Sequence, residues 1–133
     1  MKLVEIEGIG PVNAEKLGAA GITSIEGLLE SGSTPKGRKE IASKSGISDA
    51  HILKWVNHAD LFRVKGIGSE YSDLLEASGV DTVVELAARN AENLTKKMAE
   101  VNAEKKLVRQ LPSLKQVSAW IEQAKALPRA VSY

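Results

Sequence analysis

The sequence predicts an all-α chain: two pseudo-repeated helical bundles packed as one compact unit, with no sheet. Three observations carry that prediction. Apolar residues fill 43% of the 133 positions while aromatics fill only 4%, so the core is built from Leu, Ile, Val and Ala, a palette that favours helices. No run alternates apolar and polar residues with a period of two, the mark of a half-buried strand. Residues 6–29 also slide onto residues 64–87 at a fixed offset of 58, with identities at Gly8/Gly66, Ile9/Ile67, Gly10/Gly68, Leu17/Leu75, Ala19/Ala77, Gly21/Gly79 and Leu28/Leu86.

Conservative swaps at Ile6/Val64, Ile22/Val80 and Ile25/Val83 extend the match, and Trp55-Val56-x-x-Ala59 is echoed by Trp120-Ile121-x-x-Ala124. That second echo has an offset of 65, which puts about seven extra residues in the later half, around Leu111-Pro112-Ser113. The expected division is residues 1–63, residues 64–127 and a flexible tail over 128–133.

Each half reads in the same order. A short apolar element ends at Ile6 or Val64, and a Gly-x-Gly turn follows. Val12, Leu17 and Ala20, or Tyr71, Leu74 and Leu75, then recur at helix-compatible spacings. Gly21 and Gly79 stop these helices as left-handed caps. Thr23 and Asp81 are natural N-caps for the next helix, whose inner face is Ile25, Leu28 and Leu29 or Val83, Leu86 and Ala87. Pro35 suits the first turn of a helix that runs through Ile41 to Lys44 and closes at Gly46. Ser48 caps a longer continuous helix over residues 49–63, with Ile52, Trp55, Val56, Ala59 and Phe62 inward. The second half places helices near residues 94–101, 105–110 and 113–126, for about nine or ten in all.

Composition removes several classes of function. With no Cys, disulfide scaffolds, Cys-type zinc sites, iron-sulfur clusters and thiol catalysis disappear together. Glu5 and Glu7 stand where a signal peptide needs an apolar run, and no stretch approaches the roughly 20 apolar residues of a spanning helix. A soluble, cytoplasmic protein with no membrane partner is expected. Lys plus Arg number 18 against 17 Asp plus Glu, so no global basic excess announces a polyanionic partner.

The stretch Glu7-Gly8-Ile9-Gly10-Pro11-Val12-Asn13-Ala14-Glu15-Lys16-Leu17 resembles the helix-hairpin-helix motif. There an apolar helix end, a Gly-hydrophobic-Gly hairpin and a second helix with a small residue four positions later recur together, and Ala14 and Ser72 occupy the small position. Glycine permits the positive φ of the reversal, Ile9 or Ile67 plugs the gap between crossing helices, and the small residue lets them approach. Residues 44–50, KSGISDA, look like a degenerate third hairpin, and residues 21–29 are similar to part of the C-terminal domain of the RNA polymerase alpha subunit. Over nearly its whole length the chain resembles a bacterial family of tandem helix-hairpin-helix proteins of unknown function.

That resemblance implies duplex DNA as a partner, bound without sequence preference. Hairpin amides at the N-terminus of the second helix attract a phosphate, and nearby cations strengthen the contact. Carried over residue by residue, the candidates are Gly8, Ile9, Gly10, Gly66, Ile67 and Gly68, with Lys16 and Lys65 as adjacent cations. The alternative is that the glycines only close tight turns.

Charge placement weighs against the hairpins themselves. Residues 1–32 carry net −3, 33–65 net +4, 66–95 net −5 and 96–133 net +5. Both Gly-Ile-Gly turns therefore lie in or beside acidic blocks, with Glu5, Glu7 and Glu15 around the first and Glu70, Asp73 and Glu76 after the second. A carboxylate beside a phosphate repels it. Compensation requires that Lys36, Arg38, Lys39 and Lys44 join Lys96, Lys97, Lys105, Lys106 and Arg109 in one basic face. Alternating charge blocks equally suit a protein partner or self-association.

Other chemistry finds little support. His51 and His58 stand seven apart on one expected helix, about 10.5 Å of rise, too far to share one metal easily. A haem or metal ligand through either histidine is a distant third reading. The Gly-x-Gly pairs lack the third glycine and the preceding strand of a dinucleotide fingerprint, and no nucleophile elbow surrounds any Ser. Trp55 and Trp120 read as buried helix anchors rather than stacking platforms. The expectation is a non-enzymatic binding module with no catalytic residue, no metal and no cofactor: a DNA-binding module, or alternatively a protein-interaction scaffold with purely structural hairpins.

Overall fold

The computed structural model describes residues 1–133, and every regular element in it is helical. After a single 3-10 turn, Leu3–Glu5, come α1 (Pro11–Ala19), α2 (Ile25–Ser31), α3 (Pro35–Ser45) and α4 (Asp49–Leu61). They are followed by α5 (Ser69–Ala77), α6 (Val83–Ala87), α7 (Ala91–Lys105) and α8 (Leu114–Ala126). The chain is all-α, as its apolar palette predicts, with eight α-helices rather than nine or ten. It divides into two compact units, Met1–Asp60 with Ala130–Tyr133, and Leu61–Arg129.

In the first unit the 3-10 turn packs on α1, and α1 and α2 pack on α3. Leu3, Ile6, Leu17, Leu28, Ile41, Ile52 and Trp55 are among the side chains buried there. Pro35 opens α3 behind Thr34, whose hydroxyl accepts the Gly37 amide at 3.1 Å, and Gly46 closes it at φ +74°. The Ser48 hydroxyl accepts the His51 amide at 3.3 Å at the start of α4. That helix ends at Leu61, and Phe62, expected on its inner face, is half-buried in the turn beyond.

In the second unit α5 packs on α7, while α6 and α7 pack on α8. Leu74, Leu75, Val83, Leu86, Leu94, Met98, Val117 and Trp120 belong to one contiguous core.

The expected left-handed glycines are present and close complete Schellman motifs. Gly21 has φ +89°, and the Ile22 amide reaches back to the Leu17 carbonyl at 2.9 Å. Gly79 has φ +94°, and the Val80 amide reaches the Leu75 carbonyl at 2.8 Å. The four apolar residues that form these closures are all buried.

Several expectations shift. Ser24 and Thr82, not Thr23 and Asp81, cap α2 and α6, accepting the Gly27 amide at 3.0 Å and the Glu85 amide at 3.4 Å. The Schellman closure buries the residue after each glycine, and one more extended residue must pass before the helix begins. The capping hydroxyl therefore falls three residues beyond the glycine. Val12 is 67% exposed, because α1 turns Asn13, Ala14, Leu17 and Ala20 inward instead.

No separate helix forms over residues 105–110: Lys105 is the last residue of α7, and residues 106–110 are irregular. Lys106 ends α7 at φ +51°, and the Asn102 side chain grips Val108 through both its amide (3.0 Å) and its carbonyl (3.2 Å). This turns the chain so that Val108 enters the core.

The tail, expected to fray, is held by the first unit. Val131 is buried, and the Ser132 amide donates to the Ser33 carbonyl at 2.8 Å. The physical reason is a pair of partners, Arg38 on α3 and Asn57 on α4, that lie 94 and 76 positions away in the chain.

Candidate nucleic-acid interface

Each Gly-Ile-Gly segment forms a tight reversal whose two glycines differ. Gly8 and Gly66 have φ +92° and +98°, conformations that side chains disfavour, whereas Gly10 and Gly68 are extended N-caps of α1 and α5 at φ −82° and −111°. Between them Ile9 and Ile67 are buried at 2% and 4% exposure, plugging the core as the motif implies. Their amides close the turn onto the carbonyls of Ile6 (3.1 Å) and Val64 (3.2 Å).

The amides of Gly8, Gly10, Gly66 and Gly68 donate to nothing within the protein, and all four glycines are exposed. Two of these N–H groups, those of Gly10 and Gly68, stand at the N-caps of α1 and α5, where the partial charge is positive. A β-carbon added at Gly10 or Gly68 would meet nothing within 4 Å. Neither conformation nor internal packing requires glycine there.

The first glycine of each pair is needed for a reason the sequence reading did not reach. The indole Nε1 of Trp55 lies 3.4 Å from where a β-carbon on Gly8 would stand, and that of Trp120 lies 2.9 Å from its counterpart on Gly66. Both indoles are 3% exposed, so they are the buried anchors expected, but they also floor the hairpins. Trp55 stacks on His51 at 5.7 Å between ring centroids, and Trp120 meets Tyr71 at 5.1 Å. The signal was present in the echo of the two Trp motifs, yet nothing local says that the echo meets the glycines.

The predicted cations behave differently from one another. Lys16 sits in the last turn of α1, six residues past Gly10 and so about 9 Å along the helix. There it complements the C-terminal end of that helix. Lys65 does stand inside its hairpin, exposed. Its backbone is clamped by Gln123, whose amide oxygen accepts the Lys65 N–H at 3.0 Å and whose amide nitrogen donates to the Lys65 carbonyl at 3.3 Å.

The acidic neighbours are partly occupied. Glu5 accepts the Lys2 amide at 2.8 Å, and Glu70 pairs with Arg109 at 3.4 Å on the exposed surface. Such exposed pairs contribute little stability but reduce the local negative field. Lys36, Lys39 and Lys44 on α3 are exposed, as are Lys96, Lys97, Lys105, Lys106 and Arg109 in the second unit. Arg38 is withdrawn from any basic face: it is 7% exposed and donates to the carbonyls of Gly32 (2.9 Å) and Ser132 (2.7 Å). His51 is exposed with its Nδ1 3.1 Å from the Ser48 hydroxyl, while His58, two turns on, is fully buried. No helix is long and apolar enough to cross a membrane.

Residues 7–127 match DUF4332, described as a domain of unknown function. No curated protein and no solved structure matches the chain.

Proposed function

From the premise that the chain belongs to the DUF4332 family, whose description assigns no activity, we propose a non-enzymatic module that holds the phosphate backbone of duplex DNA without reading its sequence. The observation that carries this reading is the pair Gly10 and Gly68. Glycine stands there although φ is ordinary and the space above is open, and the amides of these glycines have no partner within the protein. Bare backbone at a helix N-terminus is what the close approach of an anion needs. The helix-hairpin-helix resemblance supports the same reading, with Lys65 as the nearest cation and the exposed lysines of α3 and α7 adding attraction at longer range.

The test is a salt titration of binding to duplexes of unrelated sequence. Log affinity falls linearly with log salt, by about 0.9 per phosphate neutralised, and alike for each sequence. Absence of binding at low salt removes the reading.

A second reading, a protein-interaction module with structural hairpins, is favoured by the outer face of α1. Val12 stands 67% exposed beside Glu15, Lys16 and Ala19, which together line a shallow depression. Pull-down of one protein partner, insensitive to nuclease and lost in Val12→Asp, supports it.

A further inference from the structure

The two Gly-Ile-Gly reversals share a backbone conformation but not a charge. Residues 5–12 carry Glu5 and Glu7, net −2, whereas the aligned residues 63–70 carry Arg63, Lys65 and Glu70, net +1. The acidic block over residues 66–95 starts just past Lys65, so block charges assign that cation away from its own hairpin. Exposure and pairing sharpen the contrast. Glu7 and Lys65, at aligned positions, are both exposed, and neither charged group has a partner within the protein. A phosphate approaching the first hairpin therefore meets a bare carboxylate, and one approaching the second meets a bare ammonium. Glu70 is drawn to Arg109 at 3.4 Å, while Glu15 and Asp73 hold equivalent places on α1 and α5 and do not separate the two.

We propose, resting on the DNA reading above, that the second hairpin, Lys65 to Gly68, is the principal phosphate-holding element, and that Gln123 is a positioning residue that aims its Gly66 amide. Gln123 holds both backbone groups of Lys65, accepting its N–H at 3.0 Å and donating to its carbonyl at 3.3 Å. That carbonyl belongs to the same planar trans peptide unit as the Gly66 N–H, so pinning one toward Gln123 points the other away from it. The Gly66 N–H has no partner within the protein, and it is fixed in direction before a ligand arrives, which removes an ordering cost from binding. The first hairpin has no such clamp, since neither backbone group of Glu7 is hydrogen-bonded within the protein. A second unpaired donor stands at the Gly66 turn. The Trp120 indole is 3% exposed, its N–H has no partner, and its Nε1 leads its ring neighbours toward Gly66, at 2.9 Å against 3.8 Å from the β-carbon position. No wholly buried side-chain nitrogen lacks a partner, so this one reaches the surface, and a donor so enclosed ordinarily meets an acceptor.

The experiment measures binding of the full chain to a labelled duplex by fluorescence anisotropy at several salt concentrations. Gly68→Asp lowers affinity at least about tenfold and Gly10→Asp less than about threefold, neither with a loss of melting temperature. Lys65→Ala flattens the slope of log affinity against log salt by about 0.9, the share of one phosphate contact, whereas Glu7→Ala raises affinity. Gln123→Met, uncharged and of similar length, lowers affinity about threefold or more in a folded chain while leaving that salt slope unchanged, a combination that a lost charge does not produce. Unchanged affinity in this variant removes the positioning role. A second measurement needs no variant: on titration of the wild-type chain with a short duplex, the amide proton resonances of Gly66 and Gly68 move further than those of Gly8 and Gly10. A chain that binds duplexes but loses as much with Gly10→Asp as with Gly68→Asp, or whose four amides move alike, overturns the proposal and leaves the DNA reading standing. A chain that binds no duplex at low salt overturns both.

Discussion

The indole nitrogen of Trp120 lies 2.9 Å from the position a β-carbon on Gly66 would take, closer than side chains ordinarily stand. In the first unit Trp55 approaches the corresponding position on Gly8 only to 3.4 Å, an ordinary contact distance. The two reversals share their backbone strain, at φ +92° and +98°, but differ in how tightly the indole closes beneath them. Gly66→Ala therefore costs more than Gly8→Ala, about 2–3 against about 1–2 kcal/mol, the first adding crowding to a left-handed conformation. Urea unfolding of the two single variants checks the order. A Gly66→Ala/Trp120→Phe double variant, with the indole nitrogen removed, loses less than the sum of its parts.

At the second glycine of each hairpin, stability and binding separate. Asp is a better N-cap than Gly and suits a helix N-terminus, so Gly10→Asp and Gly68→Asp keep or raise the melting temperature, by a few tenths of a kcal/mol each. The same carboxylate stands where a phosphate would bind. DNA affinity of the double variant falls by at least about tenfold, equivalent to roughly 1.4 kcal/mol. Unchanged affinity at unchanged stability shows that the hairpins do not touch the polyanion.

Lys106 adopts φ +51° at the end of α7, a conformation that glycine reaches without strain. Lys106→Gly stabilises the chain by about 0.5–1 kcal/mol, the relief of strain exceeding the extra freedom given to the unfolded state. Asn102→Ala has the opposite effect, about 1–2 kcal/mol, since it frees both the amide and the carbonyl of Val108. Thermal unfolding of both variants measures the pair.

Gln123 holds the second hairpin from outside, through both backbone groups of Lys65. Gln123→Ala leaves the helices intact and costs about 1 kcal/mol or less because the site is exposed. Its clearer readout is local: hydrogen exchange at the Lys65 amide accelerates while exchange in α5 and α8 stays unchanged.

Much of the fold was legible because its signals are short-ranged. The Schellman glycines, Pro35 at the head of α3, and the Ser48 cap each act within a few residues of themselves. A reader of the sequence needs only the helical period and the chemistry of caps to find them. The errors at Thr23 and Asp81 are of one residue and share one cause, since the start of a helix depends on how many residues the preceding Schellman closure consumes. Residues 105–110 misled for a different reason: Asn102 binds six positions ahead, a link that helical periodicity does not represent.

The candidate site was only half legible. Gly8, Ile9, Gly10, Gly66, Ile67 and Gly68 could be named from spacing, because a tight reversal is a local object. Which glycine answers to an indole and which one answers to nothing inside the protein depend on atoms far off in the chain. Arg38 makes the contrast sharpest. By composition it is one more cation in a basic block, and its true partners at Ser132 and Tyr133 stand more than ninety positions later. Sequence alone determined the helices, their stops and the turns between them, since those are decided by backbone dihedrals and near-neighbour hydrogen bonds. Tertiary structure decided which cations are withdrawn, which tryptophan closes on which glycine and where the last four residues lie, because burial and long-range pairing are set only when distant segments meet.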